Sequence, residues 1–208
     1  MTSFEITHDD FLGGKVKLQQ PKKGYRISSD SVFLAASLAP KKGEKILDVG
    51  AGSGAILSCL LARISTEATY HGIELQDELI DLARKNGSDN IEYFQNDIFD
   101  DVEGCEPNGY HHVVSNPPYY DKGTVTNSPY VTKAVAFGKG MDDLKFWIER
   151  LVRMAMPKGY ITVVHRADRM DDIITALSQK CGSIIVYPFY PKLGKDANRV
   201  IIRAQKGS

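Results

Sequence analysis

Hydrophobic and polar positions alternate between two periods from Lys45 onward. Lys45–Val49 is a short apolar run that enters a glycine turn, and it predicts a buried strand. Ala55–Ile64 carries Ile56, Leu57, Leu60, Leu61 and Ile64 on one helical face. Thr69–Leu75 predicts a second strand, Glu78–Lys85 a second helix, and Ile91–Gln95 and Tyr110–Ser115 two further strands. Asp142–Met156 predicts a long helix stopped by Pro157 and Gly159. Tyr160–His165 predicts a strand, Asp168–Lys180 a helix, and Ser183–Phe189 and Arg199–Ala204 the last two strands.

Strands that alternate with helices imply a parallel sheet covered on both faces. No helix separates the last two strands, only a Pro/Gly/Lys loop, so they should pair antiparallel. The expectation is an α/β sheet of seven strands with one reversed. Ahead of it, residues 15–27 predict a hairpin. Val16 and Leu18 alternate with lysines and Gln19, Pro21-Lys22-Lys23-Gly24 supplies the turn, and Tyr25 and Ile27 resume the alternation. A helix follows, capped by Ser29 or Asp30 and ended at Pro40. No repeat or linker divides the chain, so 1–208 reads as one domain with 1–40 as an N-terminal extension.

Composition is that of an ordinary globular chain, 42% hydrophobic and 25% charged. Neither a bilayer-length apolar run nor the layout of a signal peptide is present, which points to the cytoplasm and away from membranes. Cys59, Cys105 and Cys181 are far apart and odd in number, so they read as reduced core thiols, not as metal ligands or bridges. The formal net charge of zero means that any nucleic-acid contact must be made by a local basic patch.

Four short stretches carry chemistry. In Asp48-Val49-Gly50-Ala51-Gly52-Ser53-Gly54-Ala55 a strand ends, the backbone turns and a helix begins. Glycines there let the main chain approach a nucleotide-type cofactor. Glu74, at the end of the next strand, can accept from a ribose diol, a feature shared by NAD and S-adenosylmethionine. Asp97, after the third strand, can accept from an adenine amine while Ile98 packs on the ring. Asn116-Pro117-Pro118-Tyr119 ends the fourth strand. Its prolines cannot continue a ladder and have no N–H. The Asn side chain and proline carbonyls are left as acceptors for a planar amine with two hydrogens, and Tyr119 can stack on a flat group.

On these residues the chain resembles class I S-adenosylmethionine-dependent methyltransferases, and its tetrad resembles the signature of enzymes that methylate planar nitrogens of adenine, cytosine or glutamine. It is similar in particular to the tRNA1(Val) N6-adenine methyltransferase family, whose target is the adenine 3′ of the anticodon. That narrower likeness rests on Phe11-Leu12-Gly13-Gly14, Gln20-Pro21, Gly24-Tyr25-Arg26, Ser29-Asp30-Ser31, Leu47–Gly54, Gly72–Gln76, the tetrad and Asn198-Arg199-Val200. The resemblance implies a Rossmann-like sheet and S-adenosylmethionine as cofactor, without a metal. It implies cofactor binding by Asp30, Asp48, Gly50, Ala51, Gly52, Glu74, Leu75, Asp97, Ile98 and Asn116, and catalysis by Asn116, Pro117, Pro118 and Tyr119. One departure is that His111 or His112 stands where relatives carry an acid, for which a structural role is expected.

By resemblance, the Asn116 side-chain oxygen and the Pro117 carbonyl accept the two N–H bonds of the adenine amine, and Tyr119 stacks on the base. RNA, and tRNA in particular, is the expected substrate. Lys15, Lys17, Lys22, Lys23 and Arg26, with no acid between them, and Lys122, Lys133, Lys139 and Tyr130 in the acid-free segment 122–140 are candidate phosphate contacts. Four other readings compete, one of them an S-adenosylmethionine-binding or RNA-binding module without catalysis, against which the intact tetrad argues. A release-factor glutamine methyltransferase would carry a helical domain ahead of the fold. A DNA adenine methyltransferase would carry a recognition insertion. An NAD(P)-dependent dehydrogenase leaves Asn116–Tyr119 unexplained.

Overall fold

The fold is described from a computed structural model, over residues 5–24, 26–64, 67–119 and 143–208. The segment 122–140 and Tyr25 lie outside the described residues. Strands β3 (Lys45–Val49), β4 (Thr69–Glu74), β5 (Ile91–Gln95), β6 (Tyr110–Ser115), β7 (Ala155–Arg166), β8 (Cys181–Phe189) and β9 (Arg199–Lys206) form one sheet in the order β5-β4-β3-β6-β7-β9-β8. β9 runs antiparallel to both of its neighbours, and the β5-β4-β3-β6-β7 pairings are parallel. This is the expected seven-stranded sheet with one reversed strand, and the reversed strand is inserted between β7 and β8.

The strands are apolar on both faces because helices cover both. Along β9, Val200 and Ile202 join one core and Ile201 the other. β6 divides in the same way at Val113 and Val114. The first core is closed by helix α4 (Asp143–Met154), whose Leu144, Trp147, Ile148, Leu151 and Val152 are spaced for one helical face, and by α5 (Met170–Leu177). The second is closed by α1 (Ser29–Ala36), α2 (Ala55–Arg63) and α3 (Asp77–Asn86). α3 has Asp77 and Glu78 in its first turn and Arg84 and Lys85 in its last, which suits the helix dipole.

Several boundaries differ from expectation, three of them with an evident local cause. The N-terminal hairpin pairs β1 (Ile6–Phe11) with β2 (Val16–Pro21), so its turn is Leu12-Gly13-Gly14-Lys15 and not residues 21–24. Leu12, Gly13 and Gly14 all have positive φ, and Gly14 N donates to Phe11 O. β1 was hidden because its residues, Ile-Thr-His-Asp-Asp-Phe, are mostly polar and lie on a half-exposed ribbon. Secondly, α4 ends at Met154, before Pro157, because Ala155 already pairs with Tyr110. The residues up to Gly159 form a bulge in β7, with Lys158 at φ 65. Lastly, α1 is capped by Ser28, whose side chain accepts from Asp30 N.

The hairpin also changes the charge picture. β1 and the residue before it bring Glu5, Asp9 and Asp10 beside cations in and just after β2. Lys22 pairs with Glu5 at 2.7 Å, Arg26 with Asp9 at 3.3 Å, and Lys17 sits opposite Asp10. Two of the five cations of the expected basic patch, Lys22 and Arg26, are therefore paired with acids of the same hairpin. The three cysteines are free and buried. His112 Nε2 lies 3.0 Å from Glu44 Oε2 and its ring stacks on Tyr160, while His111 Nδ1 accepts from Lys45 N. Both histidines support the start of the sheet, at the end away from the tetrad. Among the described residues no helix is long and apolar enough to cross a membrane.

Candidate functional site

Three acids meet at the carboxyl edge of the parallel strands, each 2% exposed or less: Asp48 on β3, Glu74 on β4 and Asp97 after β5. The turn beyond Asp48 is pinned to the neighbouring strand, since Gly50 N and Ala51 N both donate to Ile73 O at 2.9 Å. Gly50 has φ 73, and a Cβ there would lie 3.1 Å from the Trp147 ring. Trp147 fills the floor beneath the turn. Its Nε1 donates to Ser115 Oγ at 2.9 Å, and that hydroxyl donates to Val49 O at 2.7 Å. The turn and the tetrad are thus joined through one buried chain of hydrogen bonds.

Glu74 is fixed by three backbone donors: Gly52 N to one oxygen, and Leu75 N and Gln76 N to the other, all at 2.9 Å. Asp97 accepts from Phe99 N at 2.9 Å. Ile98 is 2% exposed within the first core, and its carbonyl accepts from Arg150. Asp48 differs from the other two acids. It is fully buried, and among the described residues neither carboxylate oxygen has a hydrogen-bond partner. Burial, reinforced by the charge of Glu74, pushes its carboxyl up to about 8. Because the folded-state value exceeds the ordinary carboxylate value, folded protein holds this proton more tightly than unfolded chain. The associated stability is full below about pH 4 and is lost as pH rises through about 8, by at most about 1.4 kcal/mol per unit. Asp48→Asn is expected to flatten the slope of unfolding free energy between these limits, as measured by denaturant titration at several pH values. An unchanged slope would assign it to other groups.

S-adenosylmethionine carries a sulfonium, an ammonium, a ribose diol and an adenine amine, so it presents positive charge and donors. A buried carboxylate without a partner, two more acids beside it and a turn with positive φ at Gly50, Gly52 and Gly54 match that chemistry. The residues present fit this group.

The tetrad follows β6. Pro117 is buried, and Asn116, Pro118 and Tyr119 are half-buried. The Tyr119 hydroxyl lies 2.9 Å from Asn116 Oδ1 and 2.9 Å from Asp30 Oδ2. It has one hydrogen, so it serves one acceptor at a time, and charged Asp30 is the stronger. Arg199 Nε donates to the same Asp30 oxygen at 3.1 Å, and its guanidinium sits over the Tyr119 ring, 5.1 Å from the centroid. The His165 ring meets Tyr119 edge to face at 4.8 Å. Burial, then the charge of Arg169, lowers His165 to about 4, which leaves it neutral at neutral pH. Burial and the charge of Asp30 raise the Tyr119 phenol, so it stays protonated.

Asp48, Glu74, Asp97, the glycine turn and the tetrad therefore share one edge of the sheet, as their positions after successive strands require. Asp30 joins the tetrad through Tyr119. Trp147, His165 and Arg199 were not singled out as site residues. Trp147 reads as a core position of α4, His165 as the end of a strand, and Arg199 as a residue of the Asn198-Arg199-Val200 stretch without a role.

Residues 25–137, more than half of the chain, match the family described as "Methyltransferase small domain". A tRNA1(Val) (adenine(37)-N6)-methyltransferase of Aeromonas hydrophila is 24% identical over 88% of this chain and 77% of the relative. The crystal structure of a predicted O-methyltransferase from Agrobacterium tumefaciens is similar with a TM-score of 0.68 and 26% identity, covering 86% of this chain and 81% of that one. A TehB-like S-adenosylmethionine-dependent methyltransferase from Corynebacterium glutamicum shares the fold, with a TM-score of 0.58 and 18% identity over 85% and 87% of the two chains. The acid-rimmed glycine turn and the tetrad beside it thus stand in a chain that belongs to the methyltransferase small domain family, within the class I S-adenosylmethionine-dependent methyltransferases.

Proposed function

We propose that the protein methylates the N6 amine of an adenine in tRNA, near the anticodon. The observation that carries this reading is the Asn116–Tyr119 tetrad at the strand edge that also holds the glycine turn. The names of its curated relatives, which are tRNA1(Val) (adenine(37)-N6)-methyltransferases, support it. A tRNA substrate puts the enzyme in the cytoplasm, with residues 1–208 working as one domain.

S-adenosylmethionine supplies an electrophilic methyl on its sulfonium when bound. Asp48, Gly50, Ala51, Gly52, Glu74, Leu75, Asp97 and Ile98 would hold it, with Asp30 and Asn116 at the reacting end. The adenine amine is a poor nucleophile because its lone pair is delocalised into the ring. Asn116 Oδ1 and the Pro117 carbonyl accept its two N–H bonds and free that lone pair. The acceptance strengthens as charge builds on nitrogen, so it favours the transition state. Pro117 and Pro118 contribute rigidity, and the Tyr119 ring fixes the base plane. A base in an RNA loop reaches the cleft at little unstacking cost.

The test is transfer of label from methyl-labelled S-adenosylmethionine into bulk tRNA, then nucleoside analysis. Label in N6-methyladenosine is the expected result. Label in a release-factor glutamine or in DNA, with none in tRNA, would overturn the reading.

A further inference from the structure

The β8–β9 hairpin connection, Tyr190–Asn198, lies outside the chemistry described above and beside it. Phe189 and Arg199 face each other as the last register pair of the hairpin, so the loop begins where the sheet ends. Its direction is fixed by the reversed strand. Arg199, the first residue of β9, pairs with Arg166 at the carboxyl end of β7, one position beyond the pair of Val200 with His165. The loop therefore projects from the sheet edge that carries Tyr119. It is an ordered loop. Asn198 N donates to Phe189 O at 3.1 Å, Ala167 N to Asn198 O at 3.2 Å, and Lys195 N to Lys192 O at 3.2 Å.

Its side chains have an unusual composition for a solvent loop. Tyr190 is 63% exposed and Leu193 fully exposed. Lys192 and Lys195 are exposed, and among the described residues neither makes an ion pair. Asp196 is the acid of the loop. The neighbouring cations Arg166 and Arg169 are occupied by Asp168 and Asp172. At the base of the loop Phe189 stacks on Phe33 at 4.9 Å, which stiffens the platform. An exposed tyrosine followed by two unpaired lysines suits a strand of unstacked bases and phosphates. It suits an acidic protein less well, because carboxylates could meet the lysines but would leave the exposed Tyr190 ring without the flat face that every base offers. The loop and Tyr119 share one sheet edge, so a polymer that places one of its own bases against Tyr119 has this loop beside it. In a chain of zero net charge, phosphate contacts have to be concentrated locally, and two of the five cations in and beside the β1–β2 hairpin are paired with its own acids.

We propose that the β8–β9 loop docks the single-stranded RNA flanking the target adenine, with Tyr190 stacking on an unpaired base and Lys192 and Lys195 meeting its phosphates. The proposal rests on the reading of the enzyme as a tRNA methyltransferase. All three side chains are exposed, so their replacement leaves the fold intact.

The experiment compares wild type, Tyr190→Ala and Lys192→Gln/Lys195→Gln for binding of bulk tRNA between about 50 and 200 mM salt, with methyl transfer and S-adenosylmethionine affinity measured alongside. The lysine pair is expected to reduce the slope of log affinity against log salt by about 1.4, which is two single-strand phosphate contacts. Tyr190→Ala is expected to weaken binding about 5- to 150-fold and leave the slope alone. S-adenosylmethionine affinity stays the same in both. If wild type methylates tRNA and neither variant changes affinity or slope, the loop is not the docking element and the tRNA reading stands. If wild type transfers methyl only to a protein and the lysine variant weakens that transfer, the loop docks protein. Both the tRNA reading and this proposal then fall.

Discussion

Asn116→Ala is expected to slow methyl transfer about 10²- to 10³-fold, the loss seen when one preorganised group that serves the transition state is deleted. Affinity for RNA should change far less, because the lost interaction strengthens only as charge builds on the amine nitrogen. The fold should survive. Asn116 is half-buried, and the hydroxyl that its side chain accepts from, on Tyr119, has Asp30 as a second acceptor at the same 2.9 Å. Single-turnover transfer with labelled methyl donor at saturating RNA checks this. A variant that raised KM for RNA with kcat intact would show that Asn116 binds substrate without serving the chemistry. Tyr119→Phe is the companion variant. It keeps the ring and removes the bond to Asp30, so a loss of no more than about tenfold is expected if the ring is the functional part.

The largest stability effect is expected at Gly54. This residue caps α2 at φ 84 and ψ 19. A Cβ there would lie 2.5 Å from Tyr93 Oη and 3.3 Å from the Ala83 Cα, so both the conformation and the space exclude a side chain. The left-handed conformation costs about 1–2 kcal/mol and overpacking about 1–3 kcal/mol, so Gly54→Ala should destabilise by about 2–5 kcal/mol. In a chain of this size that lowers Tm by on the order of 10 °C. Gly194→Ala is the control. Gly194 also has positive φ, at 74, but a Cβ there meets nothing within 4 Å, so only the conformational cost applies. Thermal unfolding of the two variants separates the contributions. Equal losses would mean that Tyr93 moves aside freely and that packing against the turn is loose.

The sheet was legible where strands are continuous apolar runs bounded by turns. β3, β5 and β6 begin and end where the pattern predicts. β1 was not legible, because its strand character comes from pairing with β2 across a glycine turn and not from its own residues. The acids beside Lys22 and Arg26 were hidden for the same reason, being neighbours across a hairpin and not along the chain. The same contrast divides the site. The glycine turn and the tetrad are each contained in one stretch of sequence, so their chemistry shows in residue type and spacing. Arg199 reaches Tyr119 because β9 is inserted beside β7, and His165 because β7 lies beside β6, arrangements that no local pattern encodes. Trp147 reads as core and is core, and what the sequence cannot give is that its ring abuts the glycine turn at Gly50. For Asp48 the sequence gives the residue but not its isolation, which depends on how the surrounding apolar strands close over it.

The bond between Arg199 and Asp30 joins residues 169 positions apart. Helix α1 can form early as the polypeptide leaves the ribosome, but the guanidinium that steadies Asp30 and Tyr119 arrives with β9. Until that strand slides between its neighbours, β7 lacks a partner on that side and β8 has no place in the sheet. A nascent chain, or one truncated within the β8–β9 loop, would carry the glycine turn and the tetrad without this brace. The brace on Asp30 and Tyr119 is therefore complete only in molecules whose chain has been made and folded into β9.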